Sequence, residues 1–540
     1  FFSENTLEDP VYVDTLNENE LDLYVLQERG EIYKFLHSNT ASQPQDHVPW
    51  LYNQVSAGYP EEKINGIIEG NWHEVRDTPS EFNGIQASHA KFWTGSADIL
   101  EKFYENNLIK IGFGQCWVFA GLLITMLRAL GIPSRPVTVS FAGVDFDKDL
   151  TIDYELSWWW GTLKPKDDKN YKWNFHVWVQ ASMQRPEMGS YYSGWQEVDP
   201  TYARGPVSQR SLKKSEINST DLAYFYAAVN GDEAVWQSGE VISTKTDNIG
   251  TRIITPGFQS YSRIDITRKY KPKERSGNER KHYEKAARSL GINPVSLNRR
   301  TKRSSKRKIN VLIKPILPVL IGHPLIFTVI LKNPTKNTQI LDSHLSVDSI
   351  FDNGTIVNTV KSSENVYTIR SHEEIQFSES IEFDEYKDKL RSSKTLSITA
   401  DLRTRDNVFA FKSSKMISIL TPQIWIEYLK NYAGKCERAE PDVVKSNISD
   451  TANKNSAQVA IKVHFMDRLT FSLSNVRLSL EGSRCNRKVF NIGTLDSTDQ
   501  INKTFCLICY RSDLINESLV ASLISDEVDD VKGMTTIGFL

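Results

Sequence analysis

Apolar residues recur with two different periods in the first 290 residues. The segment CWVFAGLLITMLRALGIPSR, which starts at Cys116, has the apolar face of a packed helix, and Gly131 and Pro133 are typical stop signals. The segments RPVTVSFAGV, NFHVWVQASM and GWQEVDP follow it, and they predict successive strands. A helix packed beside successive strands indicates an α+β core.

The pattern changes after a basic segment. Seven of the ten residues from Arg299 to Lys308 are basic, which we interpret as a solvated linker, with a protease-sensitive hinge or a polyanion site as alternatives. Beyond it, short strand-like segments alternate with turn signals in two sets of similar length, which predicts two β-sandwich or barrel domains. The predicted organisation is a core at 1–295, a linker at 296–308, and β domains at 309–421 and 422–540.

Composition narrows the class of protein. A chain of 540 residues is too long for one core, and 39% hydrophobic, 24% charged and 11% aromatic residues are typical of a soluble globular protein. The net charge of -2 provides no general attraction to nucleic acid, so no nucleic-acid partner is predicted. We also predict no transmembrane segment, because no apolar stretch is long enough. The first residue is Phe1, so we expect a missing N-terminus, and the compartment and any signal peptide stay open.

Five cysteines are too few for a disulfide framework in a chain of this size. Cys506 and Cys509 lie three residues apart in the last β domain, without a second Cys/His pair nearby. We therefore predict that they are strand thiols rather than zinc ligands.

Cys116 differs from the other cysteines because it opens the long helix. Free N–H groups at a helix N-terminus stabilise a thiolate, whereas a lone cysteine is otherwise typical of a buried apolar position. His176 in WNFHVWV and Asp199 in GWQEVDPTY lie on the next predicted strands, where each alone is typical of a core or turn residue. Together the three supply a nucleophile, a base and an orienting carboxylate, although spacing alone does not show that they meet.

The motifs GQCWVFA, WNFH and GWQ-x-x-DPT resemble those of the transglutaminase family, in particular the calcium-dependent animal enzymes. The resemblance covers nearly the whole chain. It implies a multidomain α+β protein with a papain-like catalytic core followed by two β-sandwich or barrel domains. The N-terminal β-sandwich of the family is absent from this sequence, which we therefore expect to be a fragment.

The resemblance also implies roles for five residues. Cys116 is the expected nucleophile, His176 the base and Asp199 the orienting carboxylate. Trp72 matches a tryptophan whose indole N–H stabilises an oxyanion, and Trp173 matches a wall of the acyl-acceptor tunnel. Without the resemblance, core packing is the simpler interpretation of both tryptophans.

The implied reaction is acyl transfer from protein glutamine side chains to primary amines. A cysteine thioester forms with release of ammonia, and a protein lysine or a small primary amine then attacks it, which cross-links proteins through an isopeptide bond. Two alternatives stay open: a papain-like hydrolase or deamidase with the same triad, and a catalytically silent scaffold. The two tryptophans disfavour the first, and the intact cysteine disfavours the second.

Calcium is the cofactor that the resemblance implies. Calcium prefers several hard oxygen ligands, and two sets of residues match calcium sites of the family. The sets are Asn230, Asp232, Glu274 and Glu279 for the first site, and Asp145, Asp147 and Asp149 for the third. By composition alone the first set is a group of ordinary surface polar residues.

Two further family features are less well matched. The second calcium site is predicted to be weak or lost, because Ile64 stands where an acidic residue is expected. A guanine-nucleotide site is left open, since the match near the junction of the core and the β domains is too loose to assign residues.

Overall fold

The protein is described from a computed structural model. The described residues are 20, 22–26, 29–33, 47–52, 67–70, 81–82, 85–86, 90–156, 163–166, 170–237, 239–257, 263–292, 309–351, 354, 356–390, 394–405, 410–430, 432–437, 456–465, 469–482, 485–497, 499–510, 517–528 and 531–537. Ile64, Trp72 and the predicted linker at 296–308 lie outside these residues.

The helices of the described residues lie almost entirely in the first 290 positions. The α-helices are α1 (Ser96–Glu105), α2 (Cys116–Ala129), α3 (Gln209–Lys214), α4 (Thr220–Asn230), α5 (Thr267–Tyr270), α6 (Gly277–Ser289) and α7 (Phe383–Tyr386). Shorter π or 3₁₀ turns span Asp22–Leu26, Ala90–Phe92 and Ser190–Tyr192. The predicted helix at Cys116 is confirmed, and it ends before Gly131, whose φ of 74° is readily adopted by glycine.

The strands of the first 290 residues form several small sheets and one larger sheet. They are β1 (Arg29–Tyr33), β2 (His47–Leu51), β3 (Ile68–Gly70), β4 (Glu81–Phe82), β5 (Ile85–Gln86), β6 (Ile111–Gly114), β7 (Ser134–Ser140), β8 (Gly143–Asp145), β9 (Thr151–Leu156), β10 (Leu163–Pro165), β11 (Asn170–Lys172), β12 (Phe175–Met183), β13 (Gly194–Asp199), β14 (Arg204–Ser208), β15 (Asp232–Gln237), β16 (Glu240–Lys245), β17 (Arg252–Pro256) and β18 (Arg263–Asp265).

A six-stranded antiparallel sheet with the order β14-β13-β12-β7-β17-β18 organises the core. Val177 and Val179 of β12 pack in one apolar cluster with residues of α2. Trp178, between them, packs in a second cluster with residues of α4. This alternation is the strand pattern that the sequence predicts for NFHVWVQASM, now with both faces covered by helices. The predicted α+β core is confirmed.

The remaining strands form the two β regions. They are β19 (Asn310–Pro315), β20 (Val319–Leu320), β21 (Leu325–Lys332), β22 (Gln339–Ile350), β23 (Ile356–Ile369), β24 (Glu374–Ile381), β25 (Thr395–Thr404), β26 (Ala410–Leu420), β27 (Ile424–Leu429), β28 (Ser456–Phe465), β29 (Leu473–Gly482), β30 (Cys485–Leu495), β31 (Ile501–Tyr510), β32 (Glu517–Ile524) and β33 (Val531–Ile537).

The first β region is a sandwich of a three-stranded sheet, β19-β21-β24, and a five-stranded sheet, β20-β26-β25-β22-β23. The second is a seven-stranded arrangement with the order β27-β28-β31-β30-β29-β32-β33. Buried apolar residues from both regions form one continuous cluster. The prediction of two C-terminal β domains is confirmed as a fold class, while the exact domain boundaries stay predictions.

The prediction for the late cysteines is wrong. Cys506 and Cys509 are disulfide-bonded, to Cys436 and Cys485 respectively. Residues three apart on a strand point to opposite faces, so each of the two cysteines meets a different partner. The pairing of β30 with β31 places Cys485 opposite Cys509, and this register is not visible in the spacing of the cysteines along the chain.

Both β regions contact the core. The side-chain amide of Asn174, two residues before His176, donates to the carbonyl oxygen of Phe351 at 3.0 Å. In the second β region, Lys532 Nζ donates to the carbonyl oxygens of Lys91 at 2.8 Å and Trp93 at 3.1 Å. The β regions therefore lie against the segments that precede the Cys116 helix and the His176 strand.

Candidate functional site

Cys116 is the first residue of α2 and is fully buried. Gln115 before it is extended, with φ of -122° and ψ of 177°, and its carbonyl oxygen accepts the first hydrogen bonds of the helix from Val118 and Phe119. Cys116 is the one free cysteine of the chain, because the other four form disulfides. Burial alone fits both an apolar core thiol and a nucleophile, so the neighbours of the thiol decide between the two.

His176 and Asp199 lie on neighbouring strands of the six-stranded sheet. His176 is the second residue of β12 and Asp199 the last residue of β13. The Nε2 atom of His176 lies 2.7 Å from Oδ2 of Asp199, and both side chains are buried. The strands β12 and β13 run antiparallel with Val179 opposite Val198, so Asp199 lies near Trp178. It reaches His176, two residues earlier on β12, diagonally.

Among the described residues, the Nδ1 atom on the other side of the imidazole has no partner at hydrogen-bonding geometry. The thiol of Cys116 is close enough to interact electrostatically with the ring. The structure therefore brings together Cys116, His176 and Asp199, with Nε2 directed to the carboxylate and Nδ1 left for the thiol side.

The electrostatics of the pair favour a charged imidazole. Burial disfavours the imidazolium, but the charge and hydrogen bond of Asp199 and the nearby Cys116 outweigh it and raise the pKa of His176 to about 10. Burial likewise opposes ionisation of Asp199, yet its hydrogen bonds and His176 lower the pKa of this carboxyl. Asp199 Oδ1 accepts the backbone N–H of Thr201 at 2.9 Å, which fixes the carboxylate from a second side.

Aromatic rings surround the imidazole. Trp173 stacks on His176 with centroids 5.2 Å apart and an interplanar angle of 28°. Trp178 and Tyr202 contact the ring at 5.9 and 6.1 Å. Trp173 thus lies beside His176, and its role as a tunnel wall stays a prediction. The corresponding prediction for Trp72 falls outside the described residues.

Two further residues around the pair were missed by sequence reasoning. Tyr224 on α4 contacts Asp199, and Tyr202 contacts His176. In the sequence, Tyr224 and Tyr202 are indistinguishable from ordinary core aromatics, and no signal in one sequence separates them.

The acidic loop, residues 145 to 149, gathers the carboxylates of Asp145, Asp147 and Asp149. One oxygen from each lies within 4.8 Å of the others. Lys148 and Leu150 adopt positive φ of 63° and 65°, which curls the loop, and their N–H groups donate to Asp145 at 2.7 Å. The prediction that these three residues share one site agrees with this arrangement.

The charges of the acidic loop repel one another. Burial, helped by Asp147 and Asp149, raises the pKa of Asp145 to about 8. Burial also raises the pKa of Asp149 to about 6, although Thr151 donates two hydrogen bonds to it. Three convergent oxygen ligands with unfavourable negative charge suit a hard divalent cation, so the residues fit calcium.

The second acidic cluster is formed by Asn230, Asp232 and Glu279. It differs from the acidic loop because a basic side chain, Arg280, binds its carboxylates. Arg280 Nη1 donates to both carboxylate oxygens of Asp232, at 2.9 and 2.8 Å, and its Nε donates to Glu279 at 2.7 Å. Asn230 donates to Glu279 at 3.1 Å. Burial still raises the pKa of Asp232 to about 7, against the attraction of Arg280. The sequence predicts these acids as calcium ligands, but it gives no sign that a guanidinium binds them.

Glu274, the fourth residue of the first predicted calcium site, is paired with a different basic side chain. Glu274 forms an ion pair with Lys271, whose side chain is buried and also donates to the carbonyl oxygen of Ile249 at 2.8 Å. The charge of Glu274 acts on Asp232, so the two lie near each other. The residues of the first predicted site therefore approach one another, but basic side chains already neutralise them and the fit to calcium is poorer than in the acidic loop.

Comparison with known proteins gives a consistent result. Residues 85–200 match the model of the Transglutaminase-like superfamily, and residues 316–405 match the Transglutaminase family, C-terminal ig like domain. Mouse protein-glutamine gamma-glutamyltransferase E is 30% identical over 367 residues, covering 63% of this chain and 51% of the relative. Human protein-glutamine gamma-glutamyltransferase 5 is 27% identical over 515 residues, covering 88% and 67%.

A solved structure extends the likeness to the whole fold. The crystal structure of red sea bream transglutaminase superposes with a TM-score of 0.74 at 22% identity, covering 98% of this chain and 79% of that one. The chain spans about half the length of the mouse relative, 51%. No helix among the described residues is long and apolar enough to cross a membrane. Two segments of this chain thus match transglutaminase family models, its curated relatives are transglutaminases, and its fold is that of a transglutaminase.

Proposed function

We propose that this protein transfers acyl groups from protein glutamine side chains to primary amines, and that Cys116, His176 and Asp199 carry the reaction. The observation that supports it most is the buried pair of His176 and Asp199 at 2.7 Å, next to a thiol at a helix N-terminus. The thiolate is the reactive form of cysteine, and a neighbouring imidazole is the group that exchanges a proton with the sulfur in this chemistry.

In the first half of the reaction, the Cys116 sulfur attacks the side-chain carbonyl carbon of a glutamine. The C–N bond breaks, His176 gives its Nδ1 proton to the leaving nitrogen, and ammonia departs from a thioester. The backbone N–H groups at the start of α2 can stabilise the transient oxyanion. Trp72 is the second donor that the resemblance predicts.

In the second half, a lysine ε-amine attacks the thioester carbonyl. His176 takes a proton from the amine, the C–S bond breaks, and an isopeptide bond forms. The hydrogen bond to Asp199 keeps a proton on Nε2 of His176. Nδ1 of the same ring is therefore available to exchange a proton with the Cys116 sulfur and with the substrate nitrogen. The stacked Trp173 gives the ring an apolar neighbour, which favours exclusion of water over hydrolysis.

Calcium has a regulatory place in this proposal. The acidic loop of Asp145, Asp147 and Asp149 is the better candidate to hold it, because its carboxylates converge and repel. Bound calcium would neutralise the negative charges of this loop. The reaction of Cys116, His176 and Asp199 itself needs no metal. Glutamine-bearing and lysine-bearing proteins and small primary amines are the proposed substrates.

The test is calcium-dependent incorporation of a fluorescent primary amine into a glutamine-containing protein. Cys116→Ala should abolish incorporation, whereas Glu364→Ala, an exposed change on β23, should leave it at the wild-type rate. Incorporation by the Cys116→Ala protein would contradict the assignment. Release of ammonia without incorporation at saturating amine would instead identify a hydrolase, which is the main alternative with the same three residues.

A further inference from the structure

Tyr224 makes the shortest hydrogen bond to the buried carboxylate. Its hydroxyl donates to Oδ2 of Asp199 at 2.6 Å, and this is the same oxygen that His176 Nε2 approaches at 2.7 Å. The hydroxyl also lies 3.5 Å from Nε2 itself. The residue is 3% exposed, so solvent does not compete for the contact.

Three groups donate hydrogen bonds to Asp199, one to Oδ1 and two to Oδ2. The Thr201 N–H occupies Oδ1, and His176 and Tyr224 share Oδ2. A hydroxyl that donates to a carboxylate oxygen lowers the basicity of that oxygen, because it stabilises the charged form. The proton between His176 and Asp199 is therefore held on Nε2, which is the tautomer that leaves Nδ1 for the thiol.

The phenol is held in place by its own surroundings. Helix α4 begins after Ser219, whose side chain accepts the N–H of Leu222 at 3.2 Å. The Tyr224 ring packs edge-on against Tyr202, with centroids 5.8 Å apart, and the guanidinium of Arg204 lies 5.9 Å from its centre. Packing on both sides of a two-torsion side chain leaves the hydroxyl little freedom to leave Asp199.

We propose that Tyr224 is a positioning residue of the active site: its hydroxyl fixes the Asp199 carboxylate and, through it, the tautomer and orientation of His176. The activity part of this inference rests on the proposed acyl transfer. The part that concerns the reactivity of the Cys116 thiol does not.

The pH dependence follows from the groups that face Asp199. They are His176 from β12, Tyr171 from β11, Tyr202 after β13 and Tyr224 from α4, with Cys116 of α2 acting on the imidazole and Arg204 of β14 beyond the Tyr224 ring. Among these, Tyr224 is a neutral donor to the carboxylate. Removing its hydroxyl makes Asp199 easier to protonate, so the acidic limb of any rate that needs ionised Asp199 moves to higher pH.

The experiment compares wild type with Tyr224→Phe in the full chain. The first readout is the pH dependence of alkylation of Cys116, the one free thiol, by iodoacetamide in calcium buffer. The second is kcat and KM for amine incorporation. We expect kcat to fall about tenfold with KM unchanged, and the acidic limb of alkylation to move upward, since a hydrogen bond to a charged group is lost.

Tyr386→Phe is the matched control. Tyr386 is also buried, and its hydroxyl donates to the carbonyl oxygen of His323 at 2.6 Å in the first β region. Loss of the Tyr386 hydroxyl removes one buried hydrogen bond that does not involve Asp199. Both readouts of the Tyr386→Phe protein should therefore match wild type. If Tyr224→Phe also leaves both readouts unchanged, the positioning role is wrong.

A second substitution keeps the inference testable if Tyr224→Phe folds poorly. Incorporating 3,5-difluorotyrosine at position 224 retains the hydroxyl and makes it more acidic, which strengthens its donation to Asp199. The acidic limb should then move to lower pH, opposite to the phenylalanine variant, and a shift in the same direction would overturn the proposal. A protein that transfers no amine but shows these opposite alkylation shifts would retain the positioning role and lose the proposed function.

Discussion

The His176–Asp199 pair and the acidic loop both contain buried aspartates, and the pKa values of these aspartates shift in opposite directions. Asp199 is fully buried, yet the pKa of its carboxyl is lowered, because His176, Tyr224 and the Thr201 N–H outweigh the cost of burial. Asp145 is 3% exposed, and burial with two neighbouring acids raises its pKa to about 8.

Burial therefore does not determine the charge of a carboxylate in this protein; its neighbours do. Around Asp199 the charge is paired inside the protein, so the geometry is complete without a ligand. In the acidic loop the three carboxylates repel one another, and a divalent cation is the kind of ligand that would relieve this repulsion. The cluster at Asp232 is intermediate, because Arg280 provides an internal cation.

The strongest test of this comparison replaces the carboxylate of Asp199, which belongs to the proposed active site. Asp199→Asn should lower kcat by about 10⁴, because the amide favours the wrong imidazole tautomer. Amine incorporation under saturating substrate measures it, with the exposed change Asp384→Asn on α7 as control. Near-normal turnover of the Asp199→Asn protein would show that the pair is structural only.

Removing the internal cation should make the Asp232 cluster behave like the acidic loop. Arg280→Gln leaves the buried carboxylates of Asp232 and Glu279 without their cationic partner, and we expect a loss of about 3 kcal/mol in the free energy of unfolding in chelator. Added calcium should recover part of this loss. Arg288→Gln on the same helix breaks only an exposed pair with Glu284 and should cost about 0.5 kcal/mol or less. Urea denaturation, in chelator and in calcium, measures the loss of each variant relative to wild type. Equal losses in the two variants would contradict the internal-cation interpretation.

Glu197 provides a contrast on the same strand as Asp199. It accepts hydrogen bonds from Trp178 at 2.7 Å, Gln180 at 2.8 Å and Tyr270 at 2.9 Å, all neutral donors. Burial outweighs these donors and raises its pKa to about 7.

The folded protein therefore holds the Glu197 proton more tightly than the unfolded chain does. The stabilising contribution is complete below about pH 4.5 and is lost as the pH rises through about 7. Glu197→Gln should remove about 2 kcal/mol of the decrease in unfolding free energy between pH 5 and 8. Urea denaturation across that range is the measurement, with Glu364→Gln as the exposed control. An unaltered pH slope would mean that Glu197 is already ionised throughout.

The smallest expected effect concerns the acidic loop. Calcium should raise the Tm of the wild-type protein by about 2–4 °C when present at roughly ten times its Kd, because only the folded loop brings three ligands together. Asp147→Ala with Asp149→Ala should remove most of this rise, and Glu364→Ala should retain it. Differential scanning calorimetry in chelator and in calcium compares the three proteins. An undiminished calcium response in the double variant would place the binding elsewhere.

Local patterns predicted the elements of the core well. The helix from Cys116 and the strands that carry His176 and Asp199 follow from apolar periodicity and from Gly131 as a stop signal. The late cysteines show the limit of such patterns. The spacing of Cys506 and Cys509 describes one strand, whereas a disulfide depends on which strand lies opposite, and that is a long-range register.

The sequence by itself therefore determined which residues can react: a thiol at a helix start, an imidazole and a carboxylate on strands, and a loop of alternating acids. Only the tertiary structure decided what neutralises each charge. Tyr224 reaches Asp199 from a helix 25 positions later, and Arg280 reaches Asp232 across 48 positions. The physical reason is that the charge state of a buried group depends on donors and charges within a few ångströms, and these come from parts of the chain whose proximity only packing creates.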